Sequence, residues 1–205
     1  MSAPDETAWI ALKRVVRFCL GAPRIVWQLE RQPPNKFLDA WSDSDHAGCL
    51  RTRWSTSCTA LMAGKHVLRF SSTTQTVVAL NSGESEFYGL VNSSSIILGA
   101  VAMAKYLGAT LAARVRYDAT AVAGIANRRG VGRVRHLHTP SLWVQRHVQD
   151  GRLVLTKTPG EENFGDLGTK HLDSKKMWKN MNGMGVVTRG GRSALSLEVS
   201  GGKMA

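Results

Sequence analysis

Four of the 15 acidic residues stand at positions suited to chemistry. Asp43 lies at the end of a strand candidate, and Glu86 lies one turn into a long apolar helix. Asp118 directly follows Val115-Arg116-Tyr117, and Asp166 opens a late helix behind the loop Pro159-Gly160-Glu161-Glu162-Asn163. Open α/β sheets hold their ligands at strand ends of this kind. Carboxylates gathered at one place repel one another and resist ionisation. A divalent cation reverses that penalty; it takes hard oxygen ligands, and Mg²⁺ is the usual choice where phosphate is the substrate. Two such ions about 3.5–4 Å apart activate water and stabilise the leaving oxygen of a phosphodiester. Taken singly, each Asp reads as a turn or cap residue. The constellation, not any one member, points to chemistry.

The elements that must position these groups follow from hydrophobic spacing. Thr7–Leu20 reads as a helix, with Trp9, Leu12, Val15 and Cys19 recurring at three- and four-residue intervals and Gly21 and Pro23 ending it. Arg31-Gln32-Pro33-Pro34-Asn35 is a break. Phe37–Trp41, Ser55–Met62 and His66–Ser71 read as three strands of an antiparallel meander. Ser82–Leu107 is a long helix, apolar around most of its circumference and therefore central. Asn81 or Ser82 is its N-cap, and Glu84 sits in the first turn, where the helix dipole favours a negative charge. Strand Ala113–Tyr117, helices Ala119–Ala126 and Ser141–Val148, strand Leu153–Thr156 and a helix over Phe164–His171 follow, with Lys175–Asn182 extending or following it. This order makes a mixed α/β sheet whose later strands are joined through helices.

Composition narrows the class. The 205 residues suit one domain plus a short appendage. The net charge of +12 points to a polyanionic partner, nucleic acid first. No apolar run reaches the roughly 18–20 residues of a membrane helix, and the N-terminus lacks a basic segment followed by an apolar one, so neither a membrane span nor a secretory signal is expected. Cys19, Cys49 and Cys58 lack CxxC spacing and read as reduced thiols of an intracellular protein.

Several blocks match a known family. Trp41-Ser42-Asp43-Ser44-Asp45-His46-Ala47-Gly48 resembles the aromatic-Ser-Asp-Ala-Asp-Trp-Ala-Gly block of the ribonuclease H domain of copia-type retrotransposon Pol polyproteins. Thr52-Arg53-Trp54-Ser55-Thr56-Ser57 and Gln75 to Phe87 are similar to further blocks of that domain. So are Val115 to Asp118, Arg135-His136-Leu137-His138, and the run Pro159, Glu162-Asn163, Asp166-Leu167, Thr169-Lys170. Ala8 to Gly21 resembles the helix that joins polymerase to ribonuclease H. The matches span about residues 8–185 in the family's order. Departures are local. His46 replaces Trp, no Asn follows Asp118, and residues 156–163 hold no His. No polymerase Asp-Asp motif is present.

The resemblance implies an α/β ribonuclease H-like fold. Its mixed sheet has three antiparallel strands followed by helix-connected strands, with helices on both faces. It implies a connecting helix and linker over 1–35 and the ribonuclease H-like domain over 36–182; the Gly- and Ser-rich composition of 183–205 reads as a flexible tail. It implies catalytic, metal-binding carboxylates at Asp43, Glu86, Asp118 and Asp166, two Mg²⁺ ions for which Mn²⁺ can substitute, and hydrolysis of the RNA strand of an RNA–DNA hybrid during reverse transcription. The motif selects Glu86 over Glu84. Helix geometry adds that two residues two apart point about 200° from each other, so only one of them faces the sheet.

Arg128, Arg129, Arg133 and Arg135 flank Gly130 and Gly132 in a flexible basic loop suited to phosphate contact, and Arg53 and Trp54 are further candidates for nucleic-acid binding. A solvated loop is the alternative for the arginines. The expected partners are an RNA–DNA hybrid and a reverse-transcriptase polymerase domain, with no membrane. The expected location is the cytoplasm, a virus-like particle or the nucleus. Two other readings stand beside the nuclease: an inert remnant or domesticated copy that binds nucleic acid without cutting, and a structural part of a larger polyprotein.

Overall fold

The computed structural model describes residues 5–130, 132 and 139–190. The described residues divide into two units, one of residues 5–28 with 186–190 and one within residues 29–185.

In the first unit, α1 (Glu6–Gly21) is capped by Asp5, whose carboxylate accepts from the Ala8 amide at 2.8 Å. None of its residues is buried. The short strand β1 (Ile25–Trp27) follows.

The second unit contains β2 (Phe37–Ser44), β3 (Thr56–Ala63), β4 (His66–Thr74) and α2 (Ser82–Tyr106). After these come β5 (Ala112–Tyr117), α3 (Thr120–Ala126), α4 (Trp143–Gln149), β6 (Leu153–Lys157), α5 (Asp166–Thr169) and α6 (Ser174–Gly183). Its sheet has the order β4-β3-β2-β5-β6. β2 pairs antiparallel with β3, and β3 with β4, while β2–β5 and β5–β6 are parallel. A three-strand meander extended by two parallel strands reached through helices is the ribonuclease H-like arrangement. The last strand, β7 (Val186–Thr188), lies in the segment read as a tail and pairs antiparallel with β1 in the first unit.

Alternation along the strands builds the core. Leu38 and Ala40 of β2, Leu61 of β3, Ala113, Val115 and Tyr117 of β5 and Leu153 of β6 point to one face. There they meet Phe87, Leu90 and Ile97 of α2, Val122 and Ile125 of α3 and Val144 of α4. Phe87, Leu90 and Ile97 recur at helical spacing. Small residues beside them, Ser85, Gly89, Ser93 and Ser94, are buried too and bring the helix close to the sheet. A hydrogen bond of 2.7 Å joins Ser93 to Thr59 of β3. By length and apolar content α2 could cross a bilayer, although no single apolar run in the sequence is long enough. Its packing makes it the central helix of this core instead.

The opposite face of the sheet carries α5, which is shorter than the helix expected over Phe164–His171. Close approach dictates its glycines. A Cβ on Gly165 would lie 2.5 Å from the Asp43 Cβ, and one on Gly168 would lie 2.5 Å from the Cys58 Sγ. Asp43 and Cys58 are cross-strand partners on β2 and β3, so α5 is seated over this pair.

Gly168→Ala is therefore expected to lower stability by about 1–3 kcal/mol in urea unfolding, the usual scale for overpacking. Adding Cys58→Ala, which removes the nearest atom, should recover part of the loss. No recovery in the double mutant would separate the cost from this contact.

Candidate metal centre

Asp43 ends the central strand with its side chain wholly enclosed, at 0% exposure. The half-buried Glu86 comes from the second turn of α2, and the half-buried Asp118 comes from the residue after β5. Because β2 and β5 are parallel neighbours, Asp43 and Asp118 leave the sheet at the same end. Each of the three offers a carboxylate oxygen, and these oxygens lie within 4.8 Å of one another. An all-oxygen set at this spacing fits a hard divalent cation.

Electrostatics fit as well. Burial, and then the charges of Asp43 and Asp118, push the Glu86 carboxyl up to about 8. Burial raises Asp43 too, against the opposing effects of the Thr169 hydroxyl and the Lys170 ammonium. A nearby cation would lower both.

Glu84 has a different task. It is buried, its carboxylate accepts from the Leu80 amide at 2.8 Å and from the Tyr88 hydroxyl at 3.0 Å, and Asn81 caps the Glu84 amide at 3.0 Å. The two glutamates thus divide as opposite helix faces require: one closes the helix N-terminus, the other meets Asp43.

Asp166 is not part of the three-carboxylate group. It is 1% exposed, and two ammonium groups hold its oxygens. Lys170 donates to Oδ1 at 2.5 Å and Lys176 to Oδ2 at 2.6 Å. The same Lys170 donates to Asp43 at 3.1 Å. Burial would lower the Lys170 pKa, but the hydrogen bonds and charges of Asp166 and Asp43 outweigh it and hold the group above the ordinary lysine range.

Other residues complete the support. The buried Asn163 amide donates to the Ser42 carbonyl at 3.1 Å and reaches Asp43 at 3.5 Å, while its oxygen accepts from the Gly165 amide at 3.0 Å. The Thr169 hydroxyl donates to Asp43. Phe164 packs against Trp41 with ring centroids 4.6 Å apart and the ring planes tilted by 51°. Asn163, Thr169 and Lys170 lie inside quoted motif blocks, yet sequence reasoning gave them no role. The one local signal was the i, i+4 spacing of Asp166 and Lys170. Lys176 carried no local signal, because a fold in the chain sets its contact.

Among the basic candidates, Arg53 and Trp54 are exposed in the loop between β2 and β3, and Arg53 has a positive φ of 59°. Arg128 is half-buried and Arg129 exposed just after α3. Arg133 and Arg135 lie outside the described residues. Cys58 is a buried thiol pushed up to about 12 by burial and by Asp43, which makes it inert.

The chain is 29% identical over 175 residues to the retrovirus-related Pol polyprotein from transposon RE2 of Arabidopsis thaliana, covering 84% of this chain and 12% of that protein. It is 29% identical over 192 residues to the polyprotein from transposon RE1 of the same plant, covering 92% of this chain and 13% of that protein. Both of these relatives are retrovirus-related Pol polyproteins. The chain thus spans only about an eighth of the length of these relatives. No protein-family model matches it. Among solved structures, LC11-RNase H1 isolated from compost matches with a TM-score of 0.43 at 16% identity, over 62% of this chain and 88% of that one. The N-terminal RNase H domain of Rv2228c from Mycobacterium tuberculosis matches with a TM-score of 0.42 at 16% identity, over 72% and 98%.

The Glu86 shift sets a pH dependence. The unfolded chain releases this proton near the ordinary 4.5, and the metal-free fold keeps it to about 8. Between these values the folded state binds more protons, so stability falls as pH rises. Thermal unfolding in chelator should show a lower Tm at pH 8 than at pH 5.5, and Glu86→Gln should flatten that slope. Mg²⁺ should raise Tm more at pH 8 than at pH 5.5; an equal effect at both would contradict the site.

Proposed function

We propose that this protein is a divalent-metal-dependent endonuclease that hydrolyses the RNA strand of RNA–DNA hybrids within a copia-type retrotransposon. The observation that carries this reading is the convergence of Asp43, Glu86 and Asp118 at the strand ends of a ribonuclease H-like sheet. The three carboxylates would hold Mg²⁺ or Mn²⁺, with Asp166 as the fourth acidic group behind Lys170. Such an ion supplies Lewis acidity toward the phosphodiester and lowers the pKa of water.

The chain's own residues set the rest. Asn163 and Thr169 fix the Asp43 carboxylate so that its direction does not depend on bound substrate. The packing of α2 on β2 and β3 fixes the depth of Glu86. A net charge of +12 draws the polyanion toward an acidic centre that would otherwise repel it. Arg53, Trp54, Arg128 and Arg129, with Arg133 and Arg135 on the same basic segment, are the proposed contacts to the nucleic-acid backbone. Choice of the RNA strand would depend on the ribose 2′-hydroxyl and on groove shape.

A polymerase domain of the same polyprotein is the proposed protein partner. Support comes from the much greater length of the relatives and from α1, whose Trp9, Ile10, Val15 and Leu20 are exposed. One observation favours an inert nucleic-acid-binding copy instead: Lys170 and Lys176 neutralise Asp166.

A labelled RNA–DNA hybrid should be cut in Mg²⁺ and left intact in chelator. Asp43→Asn and Asp118→Asn should each slow cutting by about a hundredfold or more, the scale of lost metal-dependent stabilisation. Salt-sensitive hybrid binding without cutting in either Mg²⁺ or Mn²⁺ would favour the inert reading. Equal cutting by the mutants and the wild type would overturn the site.

A further inference from the structure

Asp43 and Asp166 are both enclosed, both acidic, and both hydrogen-bonded to one ammonium group. The Lys170 Nζ stands 3.1 Å from Asp43 Oδ1 and 2.5 Å from Asp166 Oδ1. Its place is well determined by the backbone. The Lys170 amide donates to the Asp166 carbonyl at 3.0 Å, and its neighbour Thr169 donates to Asp43. Glu86 and Asp118 complete the acidic surroundings of Asp43.

We propose that Lys170 is a resident cation. Its ammonium holds Asp43 and Asp166 together in the metal-free protein and occupies the position that a second divalent ion would need. A metal ion sits about 2.0–2.1 Å from its oxygen ligands when it is Mg²⁺. An ion held by these two carboxylates would need the oxygens to which the Lys170 ammonium already donates, so the two would compete. The exchange is physically open, because the Lys170 side chain is 43% exposed and can swing into solvent. Lys176 remains on the other Asp166 oxygen at 2.6 Å and lowers the charge available to an incoming ion.

The two metal positions are therefore unequal. The Asp43–Glu86–Asp118 group shares only Asp43 with Lys170. The Asp43–Asp166 pair takes an ion only by displacing Lys170. Lys170 is a positioning residue in this scheme and touches no substrate.

The inference rests on the cation site read at Asp43, Glu86 and Asp118, and the test keeps the two apart. Metal-free full-length protein is titrated with Mn²⁺, and free Mn²⁺ is followed by electron paramagnetic resonance. Wild type should bind one ion and hold a second much more weakly. Lys170→Met should strengthen the second ion by about tenfold or more, the scale of one removed competing charge. It should also lower Tm in chelator and recover it with Mn²⁺ but not with added NaCl. Lys170→Arg, which keeps the cation, should stay near wild type. Asp118→Asn should weaken the first ion in every background.

If Lys170→Met folds only with Mn²⁺ present, the same exchange has been read through folding. A wild type with one bound ion and a Lys170→Met titration identical to it would overturn the inference and leave the nuclease reading standing. Absence of Mn²⁺ binding in both proteins would overturn both. Two equally tight ions in wild type would overturn the inference alone.

Discussion

The structure turns on a carboxylate that water does not reach. Asp43 sits in the central strand with no exposure, close to Glu86 and Asp118 and joined to Asp166 through Lys170. A buried negative charge must be paired or neutralised. Everything around Asp43 answers that demand: a hydroxyl from Thr169, an amide from Asn163, an ammonium from Lys170 and a carboxyl on Glu86 that keeps its proton up to about 8. The surrounding fold supplies these partners from two distant stretches of chain, residues 163–170 and the second turn of α2.

The same demand explains the tight seating of α5. Gly165 and Gly168 leave no room for a Cβ because this short helix must lie against β2 and β3. Only then do Thr169 and Lys170 reach Asp43. The opposite face carries no such constraint. There Phe87, Leu90 and Ile97 fill a conventional apolar core and hold α2 at the depth that brings Glu86 to the strand ends. Stability and chemistry thus occupy opposite faces of one sheet and meet at the ends of its inner strands β2 and β5. The overall charge of +12 is the complement of that arrangement: a small acidic pit inside a basic protein, suited to a polyanion held over a cation.

Much of this was legible in the sequence, and the limits were physical. The helices and strands of the larger unit came from local periodicity, and the N-cap Asn81 with Glu84 behind it was readable from helix-end chemistry. Strands β1 and β7 were not readable. Each has three residues and gains its identity only from pairing with the other end of the chain. The helix expected over Phe164–His171 proved shorter for a related reason. Packing against Cys58 and Asp43, not propensity, decides where α5 begins and ends.

The sequence by itself determined which residues could do the chemistry. Motif blocks set Asp43, Glu86, Asp118 and Asp166 apart from the other acids, and the two-residue spacing of Glu84 and Glu86 required them to face different ways. The tertiary structure alone decided how those four divide. Three converge within 4.8 Å, while the fourth is held by Lys170 and Lys176. Spacing along a chain reports direction on a helix or strand over a few residues. It pairs Asp166 with Lys170 at i, i+4, but it carries no information on Lys176 or on the reach of Lys170 to Asp43, because those contacts depend on distances through space between segments that the fold brings together.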